Sequence, residues 1–222
     1  MRLCVVFTKG PEVRFVSHLD VQRLMQRAFR RAKLPLAFSQ GFNPHPLVSF
    51  ATALSVGMTS SGEYLDVTLT EDMPADGFIS AVGAVLPKGV SIVEAFDMGD
   101  SRKSLTSAMR SACYTAKVRF DRELAPEAIE KAIAELLSGE IVVMKKTKGG
   151  IKPTDIRPWV YELKLDRAEG NEAVFTIRGL LSAEGGLNPD MLLSQLYGKL
   201  GAAGVNDINR DLIEMDRAAL IG

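Results

Sequence analysis

Cysteine is nearly missing from this chain of 222 residues: only Cys4 and Cys113 occur, far apart in the sequence. No CxxC pair is present to begin a zinc site, and there is no group of three closely spaced thiolates to hold an iron–sulfur cluster. Histidine is equally scarce, with His18 and His45 alone and no HxxxH spacing. On paper Cys4, Cys113, His18, His45 and Asp20 supply enough metal-binding groups, but no paired spacing anchors them. No metal and no cofactor is therefore expected. Both cysteines sit in apolar, strand-like surroundings, which reads as buried reduced thiols. No apolar run nears the roughly 20 residues that a bilayer span requires. Residues 1–7 read as a strand and lack the cleavage region of a signal peptide. The expectation is a cytoplasmic protein with no membrane association.

Charge is present in quantity but is unevenly placed. The formal net charge is zero. Residues 1–50 nevertheless carry eight Lys and Arg against Glu12 and Asp20, while residues 51–100 carry eight acids against Lys88 alone. Either the two blocks pair with each other, or one face stays basic and attracts polyanions.

The hydrophobic pattern places strands at 2–8, 47–56, 64–69 and 90–96 and helices over 17–32 and 74–86. Ser17 or Asp20 caps the first helix, with Leu19, Leu24, Ala28 and Phe29 as its apolar positions. A linker or short helix follows. Strands are then expected at 114–120, 140–146, 159–165, 173–178 and 205–213, with helices over 125–137 and 188–200. The first order is βαββαβ and much of it repeats in the second half, with 140–146 as an additional strand, so the fold class is α+β: two ferredoxin-like halves packed together, 1–98 and 110–222, joined by a linker at 99–109. Each half has a polar loop that enters a strand through a cationic or imidazole residue and proline, His45-Pro46-Leu47-Val48 in the first and Arg157-Pro158-Trp159-Val160 in the second. An internal duplication would explain that correspondence.

Three segments carry a more specific signature: Arg14-Phe15-Val16-Ser17-His18-Leu19-Asp20, Pro35-Leu36-Ala37-Phe38-Ser39-Gln40-Gly41-Phe42-Asn43-Pro44-His45-Pro46, and Asp155-Ile156-Arg157-Pro158. They resemble the radical-SAM-linked protein family, over most of the chain and most specifically over 14–66. The resemblance implies a partner, a radical SAM protein with a cobalamin-binding-type region, fused to the domain or encoded beside it. It also implies an RNA context, because genes for an RNase of the E/G type and for ribosomal proteins often lie nearby. It carries no established activity. With only two cysteines the chain cannot be the radical SAM enzyme itself.

Read from the residues, anion or RNA binding accommodates the most features. Helix amides near Ser17 and Asp20 favour phosphate, and Arg14, Arg23, Arg27, Arg30 and Arg31 supply charge and bidentate donors. Phe38 and Phe42 can stack on bases, and Gln40, Asn43 and His45 offer hydrogen bonds. Lys145, Lys146, Lys148, Lys152 and Arg157 with Gly149-Gly150 form a second basic loop. Arg14, Ser17, His18, Gln40, Asn43 and His45 are expected around one concave site, which requires the 39–46 loop to fold back along the first helix. The bland alternative is a solvated helix face with Phe42 packed inward. Two further classes stay open: an enzyme using His18 or His45 as general base with Asp20, Ser17 or Ser39 as orienters, and a protein–protein adaptor. Trp159 is expected in the core, and Asp66 is expected to pair with a helix arginine.

Overall fold

The computed structural model describes residues 1–147 and 150–221. The chain forms two compact units, Met1–Arg110 with Arg210–Gly222, and Ser111–Asn209. The first unit runs β1 (Arg2–Lys9), α1 (His18–Arg31), β2 (Val48–Phe50), β3 (Thr59–Thr68), α2 (Ala75–Gly83), β4 (Ile92–Asp97) and the short α3 (Leu105–Ala108). Its strands lie in the order β4-β1-β3-β2, all neighbours antiparallel. That is the split βαβ arrangement of a ferredoxin-like half.

One core explains this order. Leu3, Val5 and Phe7 alternate along β1, Leu65, Val67 and Leu69 follow the same period along β3 and just past it, and all six are buried in the same cluster. Val21, Met25 and Phe29, spaced four apart on α1, join Phe78 and Val82 of α2 over that face. Leu19, expected to face inward, is 61% exposed. It precedes the true apolar stripe by two residues and therefore points to another side of the helix.

The remaining elements are β5 (Met109–Phe120), α4 (Pro126–Leu137), β6 (Val142–Thr147), β7 (Gly150–Asp155), β8 (Val160–Glu169), β9 (Glu172–Ser182), β10 (Gly185–Gly186), α5 (Pro189–Leu200) and β11 (Gly204–Met215). Here β8, β9, β5 and β11 repeat the spatial order of β2, β3, β1 and β4. The second half is thus ferredoxin-like too, and the fold class is α+β with two such halves. Its core alternates along β5 through Ala112, Tyr114, Ala116, Val118 and Phe120. Ile129, Ile133 and Leu136 of α4 and Leu192, Leu193 and Leu196 of α5 are buried in the same unit. Asn188 caps α5 by accepting the Asp190 N–H at 2.9 Å.

Two strands differ from expectation for physical reasons. The strand expected over 47–56 is only three residues long, because β2 uses the part of β3 from Leu65 to Val67. The start of β3 is taken by the end of β11, where the Ser60 hydroxyl donates to the Arg210 carbonyl at 3.1 Å. β7 falls where a basic loop was expected. It forms a separate two-stranded ribbon with β6, and its Pro153 is tolerated because a ribbon edge needs no amide there.

Phe29 is fully buried, with its ring 5.7 Å from that of Phe78. Phe29→Ala should cost about 3–5 kcal/mol, read as a lower urea midpoint of the first unit's transition at unchanged m-value.

Candidate functional site

The loop of residues 10–17 leaves β1 and delivers the chain to the start of α1. Ser17 is the N-cap: its hydroxyl accepts the Asp20 N–H at 3.2 Å and donates to the Asp20 carboxylate at 2.7 Å. Arg23 donates to the same carboxylate at 2.9 Å. The hydroxyl of Ser17 and then the Arg23 guanidinium hold the Asp20 carboxyl below its ordinary range. The positive end of this helix therefore already carries a carboxylate, and a phosphate would have to compete with it.

His18 faces inward. Its ring meets the edge of Phe50 at 5.4 Å, and the Gln22 amide donates to Nε2 at 3.0 Å. Burial, assisted by the nearby Lys9 ammonium, lowers its pKa. Phe7, Lys9, His18, Val21, Phe50, Thr52, Leu54 and Glu63 enclose a cavity of about 10 Å³, which is near the lower limit for a single water. Around it sits a charged core that sequence reasoning missed. Lys9 is 3% exposed and donates to the Arg14 carbonyl at 2.9 Å. Glu63 receives Arg210 Nη1 on both carboxylate oxygens at 3.0 Å, and both residues are buried. Burial lowers the Lys9 pKa, while Glu63 pulls it back up and Arg14 lowers it further. One signal was legible: Lys9 continues the inward alternation of Leu3, Val5 and Phe7. Glu63 and Arg210 lie too far apart in sequence to be paired by pattern. Arg14 is also committed, with Nε donating to the Gly57 carbonyl at 2.9 Å and its guanidinium 5.2 Å from the Phe15 ring centre.

The second loop lies elsewhere. Leu36 bridges to Leu69, the Ala37 N–H donates to the Thr68 carbonyl, and the Leu47 N–H donates to the Ala37 carbonyl. Residues 36–47 thus form a narrow hairpin beyond the far end of β3. Gly41, at φ 128°, turns its tip. Ser39 Oγ lies 2.8 Å from His45 Nδ1 and accepts the His45 N–H at 3.1 Å. Gln40, Asn43 and His45 are exposed, Phe38 is 44% exposed, and Phe42 is fully solvent-facing. Phe42 therefore does not pack inward.

The ladder register keeps the two loops apart. Phe50, which His18 touches, pairs with Leu65, whereas the hairpin leaves the sheet at Thr68 and Leu69. Arg14, Ser17 and His18 cluster at the start of α1. Gln40, Asn43 and His45 lie in the hairpin, which follows the last part of α1 in the chain. Arg27, Arg30, Arg31 and Lys33 are exposed there, and their side chains make no hydrogen bond or ion pair with any described residue. Arg27 adds only a longer-range pull on Asp20.

Three acids of the middle block, Glu63, Asp66 and Glu94, are paired with arginines outside the helix. Asp66 pairs with Arg2 at 2.7 Å, not with a helix arginine, and Glu94 pairs with Arg217 at 2.8 Å. In the second unit Arg157 Nε donates to the Leu137 carbonyl at 2.7 Å and Nη1 to the Val160 carbonyl at 3.1 Å. It ties the end of α4 to β8. Lys152 is exposed on β7, opposite Lys145. The Lys145 ammonium lies 4.0 Å from the centre of the half-buried Trp159 ring. The Lys146 side chain, Lys148 and Gly149 lie outside the described residues. Cys4 is buried, and desolvation pushes its thiol up to about 12. Cys113 is only half-buried. Among the described residues no three His, Cys, Asp or Glu side chains group as metal ligands, and no helix is long and apolar enough to cross a membrane.

Two outcomes test this charged core. Glu63→Gln should destabilise the first unit by about 3–5 kcal/mol, because it strands a buried guanidinium. Adding Arg210→Met should recover part of that loss in chemical denaturation. Because folding holds the His18 pKa below its ordinary 6.5, the unfolded chain binds the proton first as the pH falls. Stability should therefore decline as the pH drops below about 6.5 and level off only under the folded value. His18→Gln should flatten that slope in urea titrations run between about pH 7 and 5.

Comparison with known proteins adds the fold's context. A chain of a Cbf5-Nop10-Gar1 complex superposes with a TM-score of 0.57 at 12% identity, over 95% of this chain and 48% of that one. A chain of an H/ACA RNP bound to a substrate RNA containing 2'-deoxyuridine gives 0.56 at 11% identity, over 95% and 47%. A chain of an archaeal box H/ACA sRNP Nop10-Cbf5 complex gives 0.52 at 12% identity, over 94% and 46%. The chain spans about half the length of these proteins, and at such identities the likeness is one of fold. No curated protein matches. A family model does match, over residues 2–189. The chain belongs to DUF2344, the family described as an uncharacterized protein conserved in bacteria.

Proposed function

We propose that this protein binds RNA through the second half of α1 and the adjoining 36–47 hairpin, as a non-catalytic accessory of a radical SAM protein with a cobalamin-binding-type region. The observation that carries the RNA reading is the run of Arg27, Arg30, Arg31 and Lys33, exposed and without an acid partner among the described residues. Folding leads this run directly into a hairpin with an exposed Phe42 at its tip. Guanidinium groups contact phosphates, and an exposed aromatic ring offers a stacking surface to an unpaired base. The solved neighbours support the reading as folds found in RNA-protein assemblies. The radical SAM partner rests on the motif resemblance, and the scarcity of cysteine is consistent with the radical chemistry residing in that partner.

The helix end matters for the kind of contact. The carboxyl end of a helix carries partial negative charge, which favours Arg30 and Arg31 and gives no help to an anion. Side chains, not backbone amides, must supply the attraction.

Affinity for a single-stranded RNA should therefore fall with salt by about 0.7 in log–log slope per phosphate contacted. Arg27→Ala with Arg30→Ala should weaken binding and flatten the slope by about 1.4, while Phe42→Ala should cost about 1–3 kcal/mol. Fluorescence anisotropy across a salt series measures both. Salt-independent binding, or no RNA binding with and without the radical SAM partner, rejects the proposal. Turnover by the isolated chain that disappears on losing His18 or His45 would replace it with an enzyme.

A further inference from the structure

A groove of about 480 Å³ lies between α1 and the turn that leaves α2, lined by Leu24, Arg27, Ala28 and Arg31 on one side and by residues 84–87 on the other. We infer that this groove is a subsite for one unpaired nucleotide, whose phosphate bridges Arg27 and Arg31 and whose base lies against Leu24, Leu86 and Pro87. The inference rests on the RNA reading above and sharpens it from polyanion to single strand.

Its volume lies within the usual range of small-molecule pockets. It suits one nucleotide and is too confined for a duplex, whose bases are already stacked and paired. Arg27 and Arg31 stand one helical turn apart, so their Cβ atoms are about 5–6 Å from each other. Two like charges at that spacing repel, and an anion placed between them relieves the repulsion. A phosphate is well matched, because its oxygens accept from both guanidinium forks. No acid lines the groove, and the nearby Lys88 is already paired with Glu12 at 3.2 Å. Opposite the arginines, Val85 and Leu86 are half-buried and Pro87 is exposed. Apolar groups left partly open to water beside two unpartnered cations match a ligand with one anionic end and one flat, weakly polar end. Arg30 and Lys33, on the same stretch of chain, continue the charge towards the hairpin and a next phosphate.

The test uses the full chain in ¹H–¹⁵N NMR titrations with UMP, AMP, inorganic phosphate and a short polyglutamate peptide. Anisotropy with a single-stranded RNA and the duplex of equal length accompanies it. UMP and AMP should shift the amides of Leu24, Arg27, Arg31 and Leu86, at least about tenfold more tightly than phosphate alone, and should compete with the single strand. The single strand should bind at least about tenfold more tightly than the duplex. Arg31→Ala should lower single-strand affinity and its salt slope, whereas Leu86→Ser should lower affinity with the slope unchanged, since it removes no phosphate contact. Nucleotides that leave these amides unmoved overturn the subsite, as does a duplex bound as tightly as the strand. Groove shifts with polyglutamate but not with UMP overturn it in favour of an acidic protein segment. If RNA binds through Arg30 and Phe42 while the groove stays silent, the subsite falls and the RNA reading stands. Nucleotide in the groove without any RNA binding keeps the nucleotide subsite and removes the RNA reading.

Discussion

The buried pair of Glu63 and Arg210 is the contact on which the first unit turns. A carboxylate and a guanidinium, each about 95% shielded from water, are joined through both carboxylate oxygens. Desolvating both groups costs much of what their attraction returns, so the pair adds little net stability, while loss of either partner leaves a buried charge uncompensated. The pair spans the end of β11 and the start of β3, while β2 pairs with β3 from Leu65 to Val67. The small cavity beside His18 and Lys9 is also lined by Glu63. It is a shielded polar core, with room near the limit for one water, and His18 serves there as a wall packed on Phe50.

The same pairing settles how the chain's charge is used. The acids at 63, 66 and 94 are taken by Arg210, Arg2 and Arg217, all strand or near-strand cations. Asp20 is taken by the cap of α1 and by Arg23. The cations of the helix's second half are left over. A protein of zero formal net charge thus keeps a local basic stripe, because the acids at 20, 63, 66 and 94 are paired with other cations.

This distribution moves the candidate interface from one end of α1 to the other. At the first end the amides already have Ser17 and Asp20 as acceptors. At the other, where the helix dipole favours cations, guanidinium groups line a groove with Leu24 and Leu86, and the chain runs on into a hairpin with a solvent-facing Phe42. An anion-binding surface built in this way depends on flexible side chains, and its strength should follow ionic strength closely.

Much of this was legible in the chain itself. Period-two runs in β1 and β3 and the four-residue spacing of Val21, Met25 and Phe29 identify the elements, and their order implies two ferredoxin-like halves. The basic helix and the polar 39–46 loop are also visible as local features, because propensity, capping and turn chemistry act over a few residues. Tertiary structure alone decided which of them meet. Strand register, a long-range property, sets Phe50 with its neighbour His18 beside Leu65 and the hairpin at Thr68 and Leu69. Glu63 with Arg210, Asp66 with Arg2, and the groove joining Arg27 to Leu86 are contacts between distant segments. Burial selects such partners only once the sheet has formed, and local pattern carries no information about distance across it.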